Sequence, residues 1–199
     1  MYKLLGRATS GNVQKVLFLL EELGVPYERL DYGRQYENTT TAEYLAMNPT
    51  AKVPTLVDGD VSIWESHAIL RYVASREKAA ALYPVDLAAR SHVDRWMDWM
   101  LASLNPVFMA GFRDAKKPEA ERGADTGKNL AAELKILDGQ LARTPFIAGH
   151  ELTLADMTLG PVVRRCVAMP FGLPAFPHVA AWLERMNARP AFVKATAAG

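Results

Sequence analysis

The spacing of apolar positions changes several times in the first 78 residues, and each change marks an element. Residues 2–6 form a short, mostly apolar opening and predict a buried strand. A polar, small-residue loop follows, Ala8-Thr9-Ser10-Gly11-Asn12. Val13, Val16, Leu17, Leu20 and Leu23 then recur as one face of a helix. Ser10 and Asn12 are its N-cap candidates, and Gly24 followed by Pro26 is its stop. Residues 27–32 alternate and predict a second strand, 33–41 predict a loop, and 42–47 a short helix ended by Asn48-Pro49. Residues 53–57 and 61–64 flank Asp58-Gly59-Asp60, which predicts a hairpin. A helix starts near Ser66 with Ala68, Ile69, Tyr72 and Val73 as its apolar face. The order β-α-β-α-β-β-α predicts a small mixed sheet covered by helices.

Beyond residue 78 the strand pattern stops. Residues 79–87, with Leu82-Tyr83-Pro84-Val85-Asp86, predict a linker. From 88 to 199 the periodicity is helical: Val93, Trp96, Met97, Met100, Leu101 and Leu104; then Leu130, Leu134, Leu137 and Leu141; then Val179, Trp182, Leu183 and Met186. This predicts an all-α second domain, with the Trp96/Trp99 pair in its core. Thr153-Leu154-Ala155-Asp156 is a capping box, with Leu152 and Met157 placed for a hydrophobic staple.

Composition narrows the function classes. Lys plus Arg is 23 and Asp plus Glu is 22, a net charge of +1 with no asymmetry between the halves. That argues against a surface tracking nucleic acid or an anionic membrane. No apolar run reaches the roughly 18 residues of a membrane span. The single cysteine, Cys166, excludes an internal disulfide and reads as a small buried hydrophobe, and the four histidines lack metal-ligand spacing. A cytoplasmic protein without a metal is the expectation.

Three local features carry candidate chemistry. Ser10-Gly11-Asn12 stands where the first strand enters the first helix, and a helix N-terminus offers unpaired amides and partial positive charge. Alone, a plain cap is the simpler reading. Lys52-Val53-Pro54 precedes the third strand; a cis Pro54 there would leave the Val53 backbone open to an extended ligand, and a rigid turn is the plainer alternative. Glu65-Ser66 precedes the third helix, with Ser66 as its cap; together the pair would hold a ligand bearing both an ammonium and a carboxylate.

In this order and spacing, these features resemble the cytosolic glutathione transferases over nearly the whole chain. Asn48-Pro49-x-x-Lys52-Val53-Pro54-Thr55-Leu56, Trp64-Glu65-Ser66-x-Ala68-Ile69-x-x-Tyr72, Thr153-x-x-Asp156 and Arg189-Pro190-Ala191 agree with the family. Gly6-Arg7-x-x-Ser10-x-Asn12-Val13-x-Lys15-Val16 is similar to bacterial serine- and asparagine-type members.

The resemblance implies a thioredoxin-like, glutathione-binding domain at 1–78 and a helical domain at 88–199. It implies that Val53 pairs through its backbone with the cysteinyl part of glutathione, that Glu65 and Ser66 hold the γ-glutamyl end, and that Lys52 lies near the glycyl end. Ser10, with Asn12, would stabilise the glutathione thiolate, which attacks a small, largely apolar electrophile. The electrophile would sit between the domains against Phe108, Met109, Phe112 and Arg113. A two-fold dimer is a further implication. Tyr is absent at position 10 and Cys from 9–12, which excludes the tyrosine- and cysteine-type chemistries. Two alternatives share these residues: glutathione-dependent disulfide reduction, and a non-catalytic binding module.

Overall fold

The computed structural model describes residues 1–198 as two compact units, 1–83 with 188–198, and 84–187. In the first, strands β1 (Tyr2–Leu5), β2 (Tyr27–Leu30), β3 (Thr55–Asp58) and β4 (Val61–Trp64) form one sheet in the order β2-β1-β3-β4. β1 runs parallel to β2 and antiparallel to β3, and β3 pairs antiparallel with β4. The parallel pair needs a crossover, supplied by helix α1 (Gly11–Leu23). The hairpin between β3 and β4 turns on Asp58-Gly59-Asp60 as its sequence predicts.

Ser10 is the N-cap of α1, and Gly24 ends it in the left-handed conformation (φ 62°) that glycine adopts without a Cβ penalty. Helix α2 (Ala42–Met47) is capped by the Thr41 hydroxyl, which accepts from the Tyr44 amide. Residues 31–32 fall outside β2, and the following loop holds a short 3-10 turn at Arg34–Tyr36.

Helix α3 (Ser66–Arg76) differs in face from its prediction: Ala68 is exposed, while Ser66, His67, Leu70 and Ala74 join Ile69 and Val73 inside. Its N-cap is Glu65, so Ser66 is the first helical residue rather than the cap.

The helix α9 (Pro190–Thr196), which the sequence division places in the second domain, packs on α1. Phe192 meets Phe18 edge to face at 5.3 Å between centroids. Arg189 pairs with Glu22, and Lys194 with Glu21.

The second unit is helical: α4 (Leu87–Trp99), α5 (Asn105–Asp114), α6 (Thr126–Leu141), α7 (Leu154–Val167) and α8 (Pro177–Asn187). A π turn at Met100–Leu104 joins α4 to α5. Val93, Met97, Met100 and Leu104 are buried, whereas Leu101 is exposed. At about 100° per residue Leu101 falls at the stripe's edge. Trp96 and Trp99 stack edge to face at 5.2 Å but are only half-buried, so they do not form the predicted core. That core is Leu130, Leu134, Leu137, Val179, Trp182 and Met186 with the buried face of α7. Cys166 is buried there, and burial pushes its thiol up to about 12.

Candidate functional site

Sheet register gathers the three candidate segments. Leu30, Leu5, Thr55 and Trp64 are successive cross-strand partners. Because β3 is antiparallel to β1 and β4 returns against β3, the chain leaves β1 through 6–10, enters β3 through 52–54 and leaves β4 through 65–66 at one edge. Segments distant in sequence thus share one end of one sheet, as strand ends do in ligand-binding α/β folds.

The β1–α1 turn is tightly fixed. The Gly6 amide donates to Leu30 O at 2.8 Å, the Arg7 amide to Tyr32 O and the Ser10 amide to Arg7 O, both at 3.1 Å. Gln14 Nε2 donates to Ala8 O at 3.0 Å. Ser10 is 8% exposed, and its hydroxyl makes no capping bond to α1. Asn12 lies exposed in the first turn.

A side chain at Gly6 would place Cβ 2.5 Å from Val13 Cγ2 and 3.4 Å from Val53 Cβ. Gly6→Ala is therefore expected to destabilise the protein by about 1–3 kcal/mol, read as a lowered urea midpoint. A Cβ on Gly33 would meet both Arg7 Nη1 (3.1 Å) and Val53 Cγ1 (3.2 Å), so the loop after β2 closes against the same place.

Val53-Pro54 is a cis peptide. The loop carrying it is clamped from α2. Tyr44 Oη donates to Lys52 O at 2.6 Å and lies 2.9 Å from Thr55 Oγ1. Asn48 Nδ2 donates to both Lys52 O (2.8 Å) and Thr55 Oγ1 (3.0 Å). Asn48 Oδ1 accepts from the Thr50 amide and hydroxyl. Tyr44 and Asn48 are nearly inaccessible, Val53 is half-buried and Lys52 is exposed. The sequence pattern places Tyr44 in a short helix and Asn48 at its stop and at the head of the Asn48-Pro49-x-x-Lys52-Val53-Pro54 motif, without the clamp their polar atoms make.

At the third segment Glu65 has φ +68°, outside the range most side chains favour, and is exposed. Ser66 and His67 are buried at the start of α3. The first amides of α3 have no intrahelical acceptors, so the turn presents donors and partial positive charge beside an acid.

One residue of this region stands in the family-like motif of the first turn without a role of its own. Lys15, on α1, is wholly buried, and its Nζ lies 3.2 Å from His67 Nε2. Burial pushes its ammonium down to about 7, opposed by the Glu65 carboxylate. A lone lysine among Val13, Val16, Leu17, Phe18, Leu19 and Leu20 was the signal.

Phe108, Met109, Phe112 and Arg113 lie on α5 in the second unit. Phe108 is buried and tilts against Phe112 at 6.0 Å, Met109 is 39% exposed, and Arg113 is exposed. Lys116 Nζ stands 4.5 Å over the Phe112 ring.

A four-stranded sheet with a cis-proline loop before β3, followed by an all-helical unit, defines a thioredoxin-like domain joined to a helical domain. The chain belongs to the glutathione S-transferase family. Residues 1–75 match the glutathione S-transferase N-terminal domain model and 97–190 the C-terminal one. The chain is 32% identical to Glutathione S-transferase GstB of Escherichia coli, over 98% of this chain and 97% of that one. It is 33% identical to Glutathione S-transferase 4 of Zea mays, over 95% and 89% respectively. The theta class glutathione S-transferase of Xanthomonas axonopodis pv. citri, solved with glutathione bound, superposes with a TM-score of 0.91 at 37% identity, covering 98% of this chain and 96% of that one.

Proposed function

We propose that this protein is a glutathione transferase that joins the glutathione sulfur to a small, largely apolar electrophile. The observation that carries the reading is the convergence of Ser10, the Val53-Pro54 loop and Glu65-Ser66 on one sheet edge of a family fold. Ser10 and Asn12 receive the sulfur, the Val53 backbone pairs with the cysteinyl residue, Lys52 approaches the glycyl carboxylate, and Glu65 with Ser66 takes the γ-glutamyl ammonium and carboxylate. The electrophile is received by Phe108, Met109, Phe112 and Arg113. A two-fold dimer and a cytoplasmic setting belong to the same reading and rest on the resemblance.

In the reaction the thiol loses its proton to solvent, the thiolate forms a bond to the electrophilic carbon, and a halide or other leaving group departs with its electron pair. A free thiol near pKa 8.5 is mostly protonated at neutral pH, so the protein's work is to favour the thiolate and to hold it close to the carbon. The Ser10 hydroxyl is available to donate to the sulfur because it is not spent on the helix cap.

The direct test is turnover of a nitro-activated aryl halide with glutathione, beside a low-molecular-weight disulfide. Conjugation without disulfide reduction supports the proposal; disulfide reduction alone replaces it with the reductase reading. Glutathione binding with neither reaction replaces it with a binding module. Glu65→Gln is expected to raise the glutathione Kd about fivefold, the loss of one charge-assisted contact at an exposed position. Titration calorimetry without an electrophile checks it, and an unchanged Kd removes Glu65 from the site.

A further inference from the structure

We infer that Lys15 is a positioning residue: from the buried face of α1 it holds the Glu65–His67 turn in place, and so fixes the γ-glutamyl site relative to the sulfur site at the start of the same helix. The inference rests on the proposed glutathione reading and adds a residue that touches neither glutathione nor the electrophile.

Ser10 caps α1 and Lys15 follows on the first full turn. Side chains on a helix lean toward its N-terminus, so the lysine stem runs back along the turn that carries the sulfur site. Its Nζ ends 3.2 Å from His67 Nε2, at the second residue of α3. The side chain is among the largest fully buried ones in the chain; beside it on α1, Gln14 is buried and polar, while Val13, Val16, Leu17, Phe18, Leu19 and Leu20 are buried and apolar.

A buried amine in such a place costs solvation that a methionine or leucine would not. Packing alone would be served better by an apolar residue of the same length. What the amine supplies is polar: a contact to His67, with the Glu65 carboxylate favouring the charged form of the amine.

Those two residues flank Ser66 on a turn that needs support. Glu65 holds φ +68° without being glycine. Such a conformation persists when its surroundings over-determine it. The Ile69 amide bonds Glu65 O at 2.9 Å and fixes the helical side of the turn. Lys15 acts from the other side, across the packed α1 and α3. One side chain thereby links the helix that activates the sulfur to the turn that grips the opposite end of the ligand.

The test uses the full chain with Lys15→Met, Glu65→Gln and the double variant. Glutathione Kd is read by calorimetry, and conjugation is read at saturating and limiting glutathione. Lys15→Met is expected to raise Kd and the glutathione KM about five- to tenfold, with kcat changed less than about threefold. In the Glu65→Gln background it is expected to add little, because both changes act through the same turn.

Lys15→Arg is expected to recover most of the affinity. Full additivity with Glu65→Gln, or an unchanged Kd in Lys15→Met, overturns the inference. A wild-type Kd in Lys15→Met beside a raised Kd in Glu65→Gln defeats only the role of Lys15. Wild-type values in both defeat the assignment of the turn itself. Should Lys15→Met fail to fold, His67→Gln removes the ring at 3.2 Å without altering α1. It too should raise Kd several-fold, and an unchanged value again overturns the inference.

Discussion

Ser10→Ala is expected to lower the conjugation rate at least about tenfold below pH 7 and to lose most of that effect above pH 9. The magnitude follows from the sulfur's acid–base chemistry. A hydrogen bond to an ionised group is worth about 1.5–3 kcal/mol, or roughly one to two pKa units of preferential thiolate stabilisation. Removing it raises the kinetic pKa toward the free thiol's value near 8.5.

At pH 6 a shift of about two units cuts the thiolate fraction by well over tenfold. The remaining thiolate is more basic and intrinsically more nucleophilic, which returns part of the loss. At pH 9.5 both proteins hold the thiolate, and the rates converge. A pH–rate profile at saturating glutathione therefore separates loss of thiolate stabilisation from general damage, which lowers the curve at every pH. Asn12→Ala should give the same shape with a smaller amplitude, since Asn12 is exposed whereas Ser10 is buried. A profile unchanged in Ser10→Ala would remove this hydroxyl from the reaction.

Much of the first unit was legible because its signals are local. Ser10 and Gly24 bound α1, Ala42–Met47 has an Asn48-Pro49 stop, and Asp58-Gly59-Asp60 joins strands of opposite direction. The three candidate segments were legible as dipeptides and tripeptides, but their meeting was not. It depends on the pairing of Leu5 with both Leu30 and Thr55, and of Thr55 with Trp64.

The misreading of α3 has a related cause. Periodicity puts Ala68 inside and His67 off the apolar face, as a surface or partner-satisfied residue; His67 is buried beside a lysine 52 residues away. A polar side chain enters a core when its partner is already there, and the partner was invisible in the local pattern. Trp96 shows the opposite failure: a large aromatic on an apolar stripe predicts core, yet at the stripe's edge so large a ring stays only half-buried.

Asp156→Ala is the substitution expected to cost the most stability, about 3–5 kcal/mol, and its site is remote in role from the chemistry. The carboxylate is fully buried, and burial pushes its pKa up, opposed by donors on both oxygens. Oδ1 accepts from the Ile147 amide and from Trp182 Nε1, each at 2.9 Å. Oδ2 accepts from the Thr153 amide at 2.9 Å and the Thr153 hydroxyl at 3.2 Å, the backward reach that the capping box predicts. One side chain therefore joins the start of α7, the segment before it and α8.

Alanine leaves four buried donors unmatched and opens a polar void where the start of α7, the segment before it and α8 meet. Asp156→Asn keeps one acceptor oxygen but sets an NH2 group against at least one donor, so it should recover only part of the loss. Trp182→Phe deletes a single bond and should cost about 1–2 kcal/mol. At roughly 2–4 °C per kcal/mol for a chain of this size, Asp156→Ala is expected to lower the thermal midpoint by about 6–20 °C. The order Ala, then Asn, then Trp182→Phe is the diagnostic result in a melting series. Equal midpoints for Asp156→Ala and the wild type would show that the network contributes no net stability.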